Sequence, residues 1–368
     1  MKKKIVIASV LKPVDDVRAF WKFSQSMAKT NKYEVNIIGN STKKEIDTPG
    51  IYLHPHLLTR TNWLVRLFIR PKILFKILSI RPSLLIITTH ELIVTALIAR
   101  VLTRCKVVYD VQENYSSNLK HLSRSIIKTI YAEIIRFKEN LSKKFINEFW
   151  LAEKCYDEEL YFVRNKNVIL ENKAISTAES SRNWNQTNLI FSGTISTYGG
   201  IKNAINVFLA IQKVEPETLI HIIGQVHSID IKKWLLEQQK NHSNILLTIS
   251  YSPIPYPEIL DAISKANLGV IGYETNTVNR NKVPTKLYEY SRYRLPYLVS
   301  ENTNWMSKGE ELGGAIPVNY TTINAQEILK SLSKKDELFT GLYPESATWE
   351  YESLKLTSSL DHLIKVVK

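Results

Sequence analysis

Cysteine is scarce in this sequence, and no pairing pattern accompanies it. The 368 residues contain two cysteines, Cys105 and Cys155, and no CxxC pair occurs. Isolated cysteines of this kind are typical of proteins that work in a reducing compartment. They also exclude a zinc site built from cysteine pairs, so we expect no resident metal.

Long apolar runs are also missing. The longest, at residues 84–102, is interrupted by His90, Glu91 and Arg100, so we expect no helix that crosses a bilayer. The apolar run at residues 5–11 ends at a Lys-Pro pair, which makes it too short for a signal peptide. These absences together predict a cytoplasmic protein.

Acidic residues are few in the first half of the chain. Residues 1–172 hold 29 Lys and Arg against 16 Asp and Glu, whereas residues 173–368 hold 20 against 19. Nearly all of the net charge of +14 therefore belongs to the first half. A basic half predicts an anionic partner surface, either nucleic acid or the inner leaflet of a membrane.

Length and composition predict two globular domains. A chain of 368 residues is long for a single core, and its content of 44% hydrophobic and 23% charged residues is typical of folded proteins. Residues 172–186 are polar and lack periodicity, so we interpret them as a linker. We predict domains at residues 1–172 and 187–345, followed by a helical segment at 346–368 that crosses back to the first domain.

Short apolar strands alternate with helices in both halves, which is the pattern of an α/β fold with parallel sheets. Strands, two of them running into polar tips, are predicted at residues 4–10, 34–39, 84–91, 106–115, 149–152, 168–170, 189–192, 219–224, 245–249, 268–271 and 297–300. Helices are predicted at 19–30, 201–212, 231–239, 256–265, 325–332 and 349–367. In the basic stretch 120–144, five isoleucines recur at helical spacing and predict a packed face. They are Ile126, Ile127, Ile130, Ile134 and Ile135.

The stretch at residues 284–296 predicts a binding element. Pro284 suits the first turn of a helix and Pro296 ends it, which gives a helix of three turns. Its amino end presents free N–H groups, Lys286 adds a positive charge, and Glu289 lies one turn further along. Such an end can hold a diphosphate while the carboxylate accepts hydrogen bonds from a diol. The alternative is an ordinary amphipathic helix.

This stretch reads Pro284-Thr285-Lys286-Leu287-Tyr288-Glu289-Tyr290 and resembles the P-[ST]-K-x-x-E-Y signature of GT-B glycosyltransferases of the family-4-like group. The resemblance extends over nearly the whole chain. It implies two Rossmann-like domains with a cleft between them, a Glu289 that binds ribose, and transfer that retains the configuration of the sugar. The chain departs from the family at Asn281, where a second glutamate often contacts the donor sugar.

The same resemblance implies a donor site in the second half. The loop at residues 193–200 is similar to the glycine-rich loop of the family, although its basic residues are missing or displaced to Lys202. No DxD motif occurs, which agrees with neutralisation of the diphosphate by cations of the chain rather than by metal. The candidate donor-binding residues are Gly193, Thr194, Gly199, Gly200, Tyr251, Arg280, Asn281, Lys282, Thr285, Lys286, Leu287 and Glu289.

Ionisable residues at the ends of predicted strands suggest an acceptor site in the first half. The candidate catalytic residues are Asp16, His90, Asp110 and Glu113. The loop with Asp16, Arg18 and Lys22 is similar to the D-x-R loop of some of these transferases, and residues 109–113 are similar to their Y-D-x-H-E segment. The histidine of that segment is here Gln112, and an amide cannot shuttle a proton.

Residues 57–78 hold five cations and no anion among aromatic and aliphatic residues, which predicts an amphipathic helix on an anionic membrane surface. A core helix with snorkelling cations is the alternative.

We therefore expect an enzyme, peripheral on the inner face of the cell membrane and without a cofactor. It would move a sugar from a UDP- or GDP-sugar to a lipid-linked or cell-surface polysaccharide acceptor.

Two other functions fit parts of the sequence. A nucleotide-sugar 2-epimerase shares the two-domain plan, but it needs acidic and histidine groups around the donor sugar, and Asn281 argues against that. A nucleic-acid-binding protein fits the charge, but the basic segments lack a recognition motif and the second half is neutral. We expect a nucleotide sugar and a glycan or lipid-linked acceptor as partners, and no nucleic acid.

Overall fold

The structure is a computed structural model that describes residues 2–41, 47–57, 63–122, 125–175, 180 and 182–364. Residues 58–62 and 123–124 of the two basic stretches, and residues 176–179 and 181 of the predicted linker, lie outside this part. The chain divides into two compact units. The first comprises Met1–Asn172 with Glu350–Lys368, and the second comprises Lys173–Trp349.

The described residues of the first unit form a parallel sheet of seven strands. Its strands are β1 (Lys3–Pro13), β2 (Tyr33–Asn40), β3 (Ile51–His56), β4 (Leu84–Ile87), β5 (Lys106–Val111), β6 (Glu148–Leu151) and β7 (Asn167–Ile169). They lie in the order β3-β2-β1-β4-β5-β6-β7, which is that of a doubly wound Rossmann-like sheet. Helices cover both of its faces, so the central strands are continuous runs of buried aliphatic residues.

Helices connect these strands. A π-helical segment, Val17–Ser24, runs into α1 (Gln25–Lys29). The helices that follow are α2 (Trp63–Ile80), α3 (Ile93–Thr103), α4 (Tyr115–Leu122), α5 (Ile126–Ser142) and α6 (Tyr156–Glu159). Of the helices that the structure describes, none is long and apolar enough to cross a membrane.

A buried ion pair ties the carboxyl ends of the first sheet together. The Arg18 guanidinium donates to both carboxylate oxygens of Asp110 at 2.7–3.0 Å. It also donates to the carbonyl of Leu170 at 2.7 Å and to the side chain of Asn172 at 3.0 Å. Gln112 donates to the second oxygen of Asp110. Since both charged side chains are almost fully buried, these bonds replace their hydration.

The second unit has its own parallel sheet, with six strands among the residues described. These are β8 (Asn188–Ile195), β9 (Leu219–Val226), β10 (Ile245–Ser250), β11 (Leu268–Ile271), β12 (Tyr297–Ser300) and β13 (Ala315–Val318). Their order is β10-β9-β8-β11-β12-β13. The helices are α7 (Ile201–Gln212), α8 (Ile229–Asn241), α9 (Tyr256–Lys265), α10 (Thr285–Arg292), α11 (Thr303–Leu312) and α12 (Ala325–Ser333).

The last helix, α13 (Trp349–Leu363), belongs from Glu350 onward to the first unit. Asp361 accepts hydrogen bonds from Tyr33 at 3.2 Å and from Lys32 at 3.0 Å. Ser359 accepts one from the Trp150 indole at 3.1 Å. The helix therefore packs against strands that precede it by some 200 to 330 residues.

The two parallel sheets confirm the predicted α/β class with Rossmann-like domains. Helices α7 and α9 and strand β11 have the predicted boundaries, but β3, α11 and β13 were not predicted. The helix after Pro284 has two turns rather than three, because the chain leaves the helix at Tyr293 and Arg294 adopts a positive φ of 51°.

The predicted packing of α5 is wrong. Of the five isoleucines expected on a packed face, Ile135 alone is buried, and the other four are 56–79% exposed. The residues of α5 that do pack are Ala132, Ile135, Glu139 and Ser142, a narrower and more polar set. Helix α5 therefore presents an apolar face to solvent.

Part of the predicted linker is ordered within the second unit. Ala174 pairs with Thr348 as an isolated bridge, and the Arg182 guanidinium donates to the carbonyls of Ala266 and Tyr293 at 2.6 and 2.7 Å. These bonds place residues on both sides of 176–181 on the same unit. Two polar side chains of the predicted linker, Arg182 and Gln186, thus bind backbone carbonyls of the second unit.

Replacing Asp110 by Asn tests the ion pair of the first unit. Because Arg18 would stay buried without a counter-charge, we expect the free energy of opening of β1 and β5 to fall by about 3–5 kcal/mol. Native-state hydrogen exchange of their amides measures it. As control, Asp361→Asn removes an exposed ion pair and should cost about 1 kcal/mol or less. Equal losses would contradict the buried pair as a major stabilising contact.

Candidate functional site

Glycines line the carboxyl edge of the second sheet. Gly193 on β8 lies opposite Gly224 on β9, and both have positive φ. A Cβ on Gly224 would overlap the carbonyl oxygen of Gly193, and a Cβ on Gly200 would overlap that of Gly272. The two backbone pairs therefore approach more closely than any side chain permits, and they leave an edge where a ligand can reach the main chain.

Two helices begin at this edge without a side-chain cap. Gly200 occupies the cap position of α7 and Pro284 that of α10, and neither supplies a capping side chain. By contrast, α11 and α12 of the same unit are capped by asparagine side chains. Uncapped amino ends leave N–H groups and a partial positive charge available to an anion.

Lys286 lies between the amino end of α10 and the glycine-lined edge of the sheet. Its Cε lies 3.4 Å from the position that a Cβ on Gly193 would take, so the lysine covers this glycine. Its ammonium group forms a salt bridge with Glu289. Lys286 thus joins the amino end of α10 to the glycine-lined edge of β8.

Glu289 is buried, with 3% of its surface exposed. One carboxylate oxygen accepts the salt bridge from Lys286, and the other accepts a hydrogen bond from the Tyr256 hydroxyl at 3.0 Å. Burial and the Glu289 charge hold the pKa of Tyr256 well above its usual range, so the phenol remains a donor. The helix also buries Leu287, Tyr288 and Tyr290, as an ordinary amphipathic helix would.

The loop between β11 and α10 is held by side chains of α11. Asn302 and Asn304 donate to the carbonyl of Arg280 at 3.3 and 3.1 Å, and the Trp305 indole donates to that of Lys282 at 2.6 Å. The side chains of Arg280 and Asn281 are exposed, and that of Lys282 is half-buried. The loop therefore presents cations on a backbone that is fixed at both positions.

The remaining predicted donor residues lie at strand and helix ends of the second unit. Thr194 is exposed at the end of β8, and Gly199 is buried in the turn before α7. Thr285 begins α10. Tyr251 follows β10, is 48% exposed, and has the Lys232 ammonium 4.5 Å from its ring centroid. The twelve residues thus belong to one unit and cluster around the starts of α7 and α10, except Tyr251.

Two of the four predicted catalytic residues hold the fold of the first unit. Asp110 is completely buried and bound to Arg18, which corrects the expectation that it faces an acceptor. Asp16 accepts from the backbone N–H groups of Arg18 and Ala19 at 3.0 and 3.1 Å, so it caps the helical segment after β1. In this loop, which resembles a D-x-R loop of the family, Asp16 and Arg18 therefore make contacts that stabilise the fold.

His90 and Glu113 follow β4 and β5 at the carboxyl edge of the first sheet. Burial, followed by the charges of Lys138, Arg66 and Arg70, lowers the pKa of His90 to about 3. The imidazole is therefore neutral near pH 7, and its Nδ1 accepts a hydrogen bond from Lys138 at 3.1 Å. Such a ring is a weak base. Glu113 is exposed and accepts from Asn118 at 3.1 Å.

Several residues of the donor site were not predicted. Tyr256 carries no sequence signal, because its contact with Glu289 joins helices that are distant in the chain. Gly224 and Gly272 did carry one, since each lies at the end of a buried apolar strand, as Gly193 does. The hydroxyls of Ser192 and Tyr290 lie 3.0 Å apart beneath the edge.

Comparison with solved structures relates this architecture to known proteins. Sucrose-phosphate synthase from Thermosynechococcus elongatus matches with a TM-score of 0.67 at 12% identity, over 98% of this chain and 99% of that chain. The chain has the GT-B fold. The identification rests on structure, since searches with family models and among curated proteins found no match.

Two further GT-B structures match over almost the full chain. Anabaena HepE in complex with UDP and glucose has a TM-score of 0.66 at 11% identity, over 98% of this chain and 99% of that chain. A putative UDP-N-acetylglucosamine 2-epimerase from Listeria monocytogenes has a TM-score of 0.63 at 11% identity, over 99% and 97%. The fold expected from the resemblance is confirmed.

A pair of glycine substitutions tests the close backbone contact. Gly200 and Gly50 both have φ of 83°, but a Cβ on Gly50 would meet nothing within 4 Å. Gly50→Ala should therefore cost only the backbone strain, about 1–2 kcal/mol. Gly200→Ala should cost clearly more, because the chain at Gly272 must also move. Hydrogen exchange within each unit measures the loss of stability that each substitution causes. Similar losses would contradict the conclusion that the contact between Gly200 and Gly272 leaves no room for a side chain.

Proposed function

We propose that this protein is a glycosyltransferase that moves a sugar from a nucleotide-sugar donor, UDP- or GDP-linked, to a lipid-linked or cell-surface polysaccharide acceptor. The observation that carries the proposal is the set of groups that lie together at the start of α10. The helix end is uncapped, it carries a lysine paired with a buried carboxylate, and it lies against a sheet edge lined by glycines. The GT-B structures that match, among them one in complex with UDP and glucose, support it.

The diphosphate of the donor would lie at the starts of α10 and α7. Backbone N–H groups donate to its oxygens there, and the ammonium of Lys286 neutralises part of its charge. Gly193 and Gly200 permit the close approach because they carry no side chain. Arg280 and Lys282 add charge from the anchored loop. These groups stabilise the charge that develops on the diphosphate as the sugar departs.

Glu289 would then accept hydrogen bonds from the ribose hydroxyls. In the structure, Lys286 and Tyr256 occupy its two oxygens. A bound diphosphate competes for Lys286, and this exchange would free one carboxylate oxygen for ribose. Binding of the phosphates and binding of the ribose would therefore be coupled through Lys286.

Transfer breaks the bond between the anomeric carbon and the diphosphate oxygen and forms one to the acceptor hydroxyl. The hydroxyl proton would leave with the departing nucleoside diphosphate, since the neutral His90 is a weak base. This route gives retention of configuration without a carboxylate at Asn281. A nucleotide-sugar 2-epimerase shares the fold but needs ionisable groups at the donor sugar, so transfer is the function that we favour.

The first unit supports a peripheral position at the membrane. Large apolar side chains are exposed along α2, α3 and α5, and we call them the apolar face. They are Leu67, Phe68, Phe75, Val94, Ile98, Val101, Leu102, Ile126, Ile127, Ile130, Tyr131, Ile134, Phe137 and Leu141, each 42–79% exposed. Exposed apolar surface on this scale is typical of a docking surface rather than of a free monomer.

Charge favours a bilayer over a second copy of the chain as the occupant. Lys72 and Lys128 are exposed on the same helices, whereas Glu133 is the single exposed carboxylate described on them. A two-fold interface would place these like charges against each other. Anionic headgroups of an inner leaflet would instead neutralise them. We therefore propose that the protein works on the inner face of the cell membrane.

Substitution of Glu289 by Gln tests the donor site. The amide keeps the volume but loses a charge-assisted acceptor, so binding of the cognate nucleotide should weaken by about 1–3 kcal/mol. A thermal-shift panel of UDP-, GDP-, ADP- and CMP-sugars first identifies the donor, and calorimetry then compares the variants. Glu237→Gln, on an exposed position of α8, is the control and should bind normally. A wild-type chain that binds none of the panel would refute the proposed function.

Liposome co-sedimentation tests the apolar face. Binding should require anionic lipid and fall with salt, and Ile130→Glu should reduce it at least fivefold because a charge replaces an inserted side chain. Leu342→Glu is the matched control, since Leu342 is 96% exposed but lies in the second unit. Loss of a solution dimer by Ile130→Glu, without an effect on liposome binding, would identify a second copy as the occupant and contradict the membrane proposal.

A further inference from the structure

A group of cations lies at the carboxyl edge of the first sheet and takes no part in the donor site. It consists of Arg66 and Arg70 on α2 and Arg136 and Lys138 on α5, and we call it the cation cluster. The carboxylates of Glu91 and Glu139 lie among these cations. His90 is a candidate site residue predicted from the sequence, whereas none of the four cations is.

Hydrogen bonds and ion pairs connect most of these residues, and the charge of Arg70 lowers the pKa of both His90 and Lys138. Arg66 forms an ion pair with Glu91, and Lys138 donates to His90 Nδ1 at 3.1 Å. Arg136 lies 3.3 Å from Glu139 and donates to the Asn114 side chain at 2.6 Å. The Tyr109 hydroxyl donates to Glu139 at 3.1 Å. The network therefore joins α2, the turn after β4, strand β5, the residue before α4, and α5.

The charges of this network do not balance. Four cations face two carboxylates, and burial raises the pKa of Glu139 to about 7, so this carboxylate is partly protonated at neutral pH. His90 is neutral and contributes no charge. Burial and then Arg70 lower the pKa of Lys138 to about 8, which still leaves it mainly charged. With both carboxylates ionised the cations are in excess by two charges, and partial protonation of Glu139 increases this excess in a partly buried site, where uncompensated charge is unfavourable.

Hydrogen-bond donors in the cluster are also unsatisfied. The Nε atoms of Arg66 and Arg70 and the Nη1 atom of Arg136 are buried and have no hydrogen-bond partner within the described chain. The contact of Arg136 with Glu139 lacks the geometry of a hydrogen bond. Among the described residues, three guanidinium groups thus have donors without a partner where positive charge is in excess, and Glu91 Oε2 is a buried acceptor without one. In a purely structural ion network, the charges would be expected to balance and the buried donors to be hydrogen-bonded.

The position of the cluster indicates which kind of ligand it can bind. His90 and Glu91 follow β4, and Tyr109 lies on β5, so the cluster lies at the edge where doubly wound sheets bind ligands. The cluster shares helices α2 and α5 with the apolar face, which includes Phe68 on α2 and Phe137 on α5. An anion that binds here is therefore held by helices that also expose apolar side chains.

We propose that the cation cluster binds a phosphate or diphosphate group that links the acceptor to an apolar carrier. Guanidinium groups match phosphate oxygens in pairs, and two negative charges would balance the network. The inference rests on the proposed function, which it deepens by assigning the acceptor a phosphate-linked lipid. The apolar face would take the hydrocarbon chain of the same molecule.

Calorimetry with geranyl diphosphate tests the proposal on the full-length protein, in the presence of saturating UDP to occupy the donor site. Arg70→Gln should weaken binding of geranyl diphosphate at least tenfold and leave the affinity for UDP unchanged. Arg81→Gln removes the same charge from an exposed position just after α2 and should change neither affinity more than twofold. Geraniol should not bind, and inorganic diphosphate should bind more weakly than geranyl diphosphate.

Equal affinity of the wild type and Arg70→Gln for geranyl diphosphate would overturn the proposal, as would its competition with UDP. Binding to phosphatidylglycerol vesicles that depends on Arg70, without any binding of geranyl diphosphate, would assign the cluster to headgroups and also overturn it. Arg70→Gln should not lower the melting temperature, because it removes uncompensated charge. A protein that binds geranyl diphosphate through Arg70 but no nucleotide sugar would refute the proposed function and keep the phosphate site.

Discussion

The close contact between backbones at the edge of the second sheet is the constraint on which the candidate donor site depends. Gly193 and Gly224 face each other on neighbouring strands, and Gly200 and Gly272 bring the start of α7 against the end of β11. With side chains at these positions the edge would close. Because it stays open, the amino ends of two uncapped helices and the ammonium of Lys286 converge on main-chain atoms.

Buried charge organises the first unit in two different ways. Around Arg18 and Asp110 the charges balance, and the hydrogen bonds of Arg18 hold strands and loops together. Around Arg70 and Lys138 they do not balance, and donors remain unsatisfied. The same sheet edge therefore carries a structural ion pair and a second network with properties of a ligand site. The presence of ion pairs at a sheet edge does not by itself indicate a ligand site. Whether their charges balance, and whether their buried donors are hydrogen-bonded, distinguishes the two networks.

The apolar face changes the interpretation of the basic first half. From the sequence, α2 was expected to carry the membrane contact and α5 to pack by its isoleucines. In the structure α2, α3 and α5 all expose large apolar side chains, and α5 carries half of them. A wide surface of this kind agrees with an acceptor that is itself held in a membrane. The cation cluster shares α2 and α5 with this surface, so the proposed acceptor phosphate and its hydrocarbon chain would be bound by the same helices.

Strand and helix order could be predicted well, because a buried parallel strand needs an uninterrupted apolar run and the chain shows it directly. The predicted bounds of helices α7 and α9 agree with the structure to the residue. The elements β3, α11 and β13 were not predicted, because their hydrophobic patterns are short or mixed. The candidate donor residues could be predicted from the Pro284 motif. Tyr256, the partner of Glu289, could not, since 33 residues separate the two.

The sequence by itself determined the α/β class, the separation of basic and neutral halves, and the lysine and glutamate spacing on α10, since these depend on composition and on contacts within a few residues. Tertiary structure alone decided that Asp110 is bound by Arg18, that four of the five isoleucines of α5 face solvent, and that four cations gather around two carboxylates. Each of these depends on which distant segments lie together, because burial and electrostatic balance are set by neighbours in space.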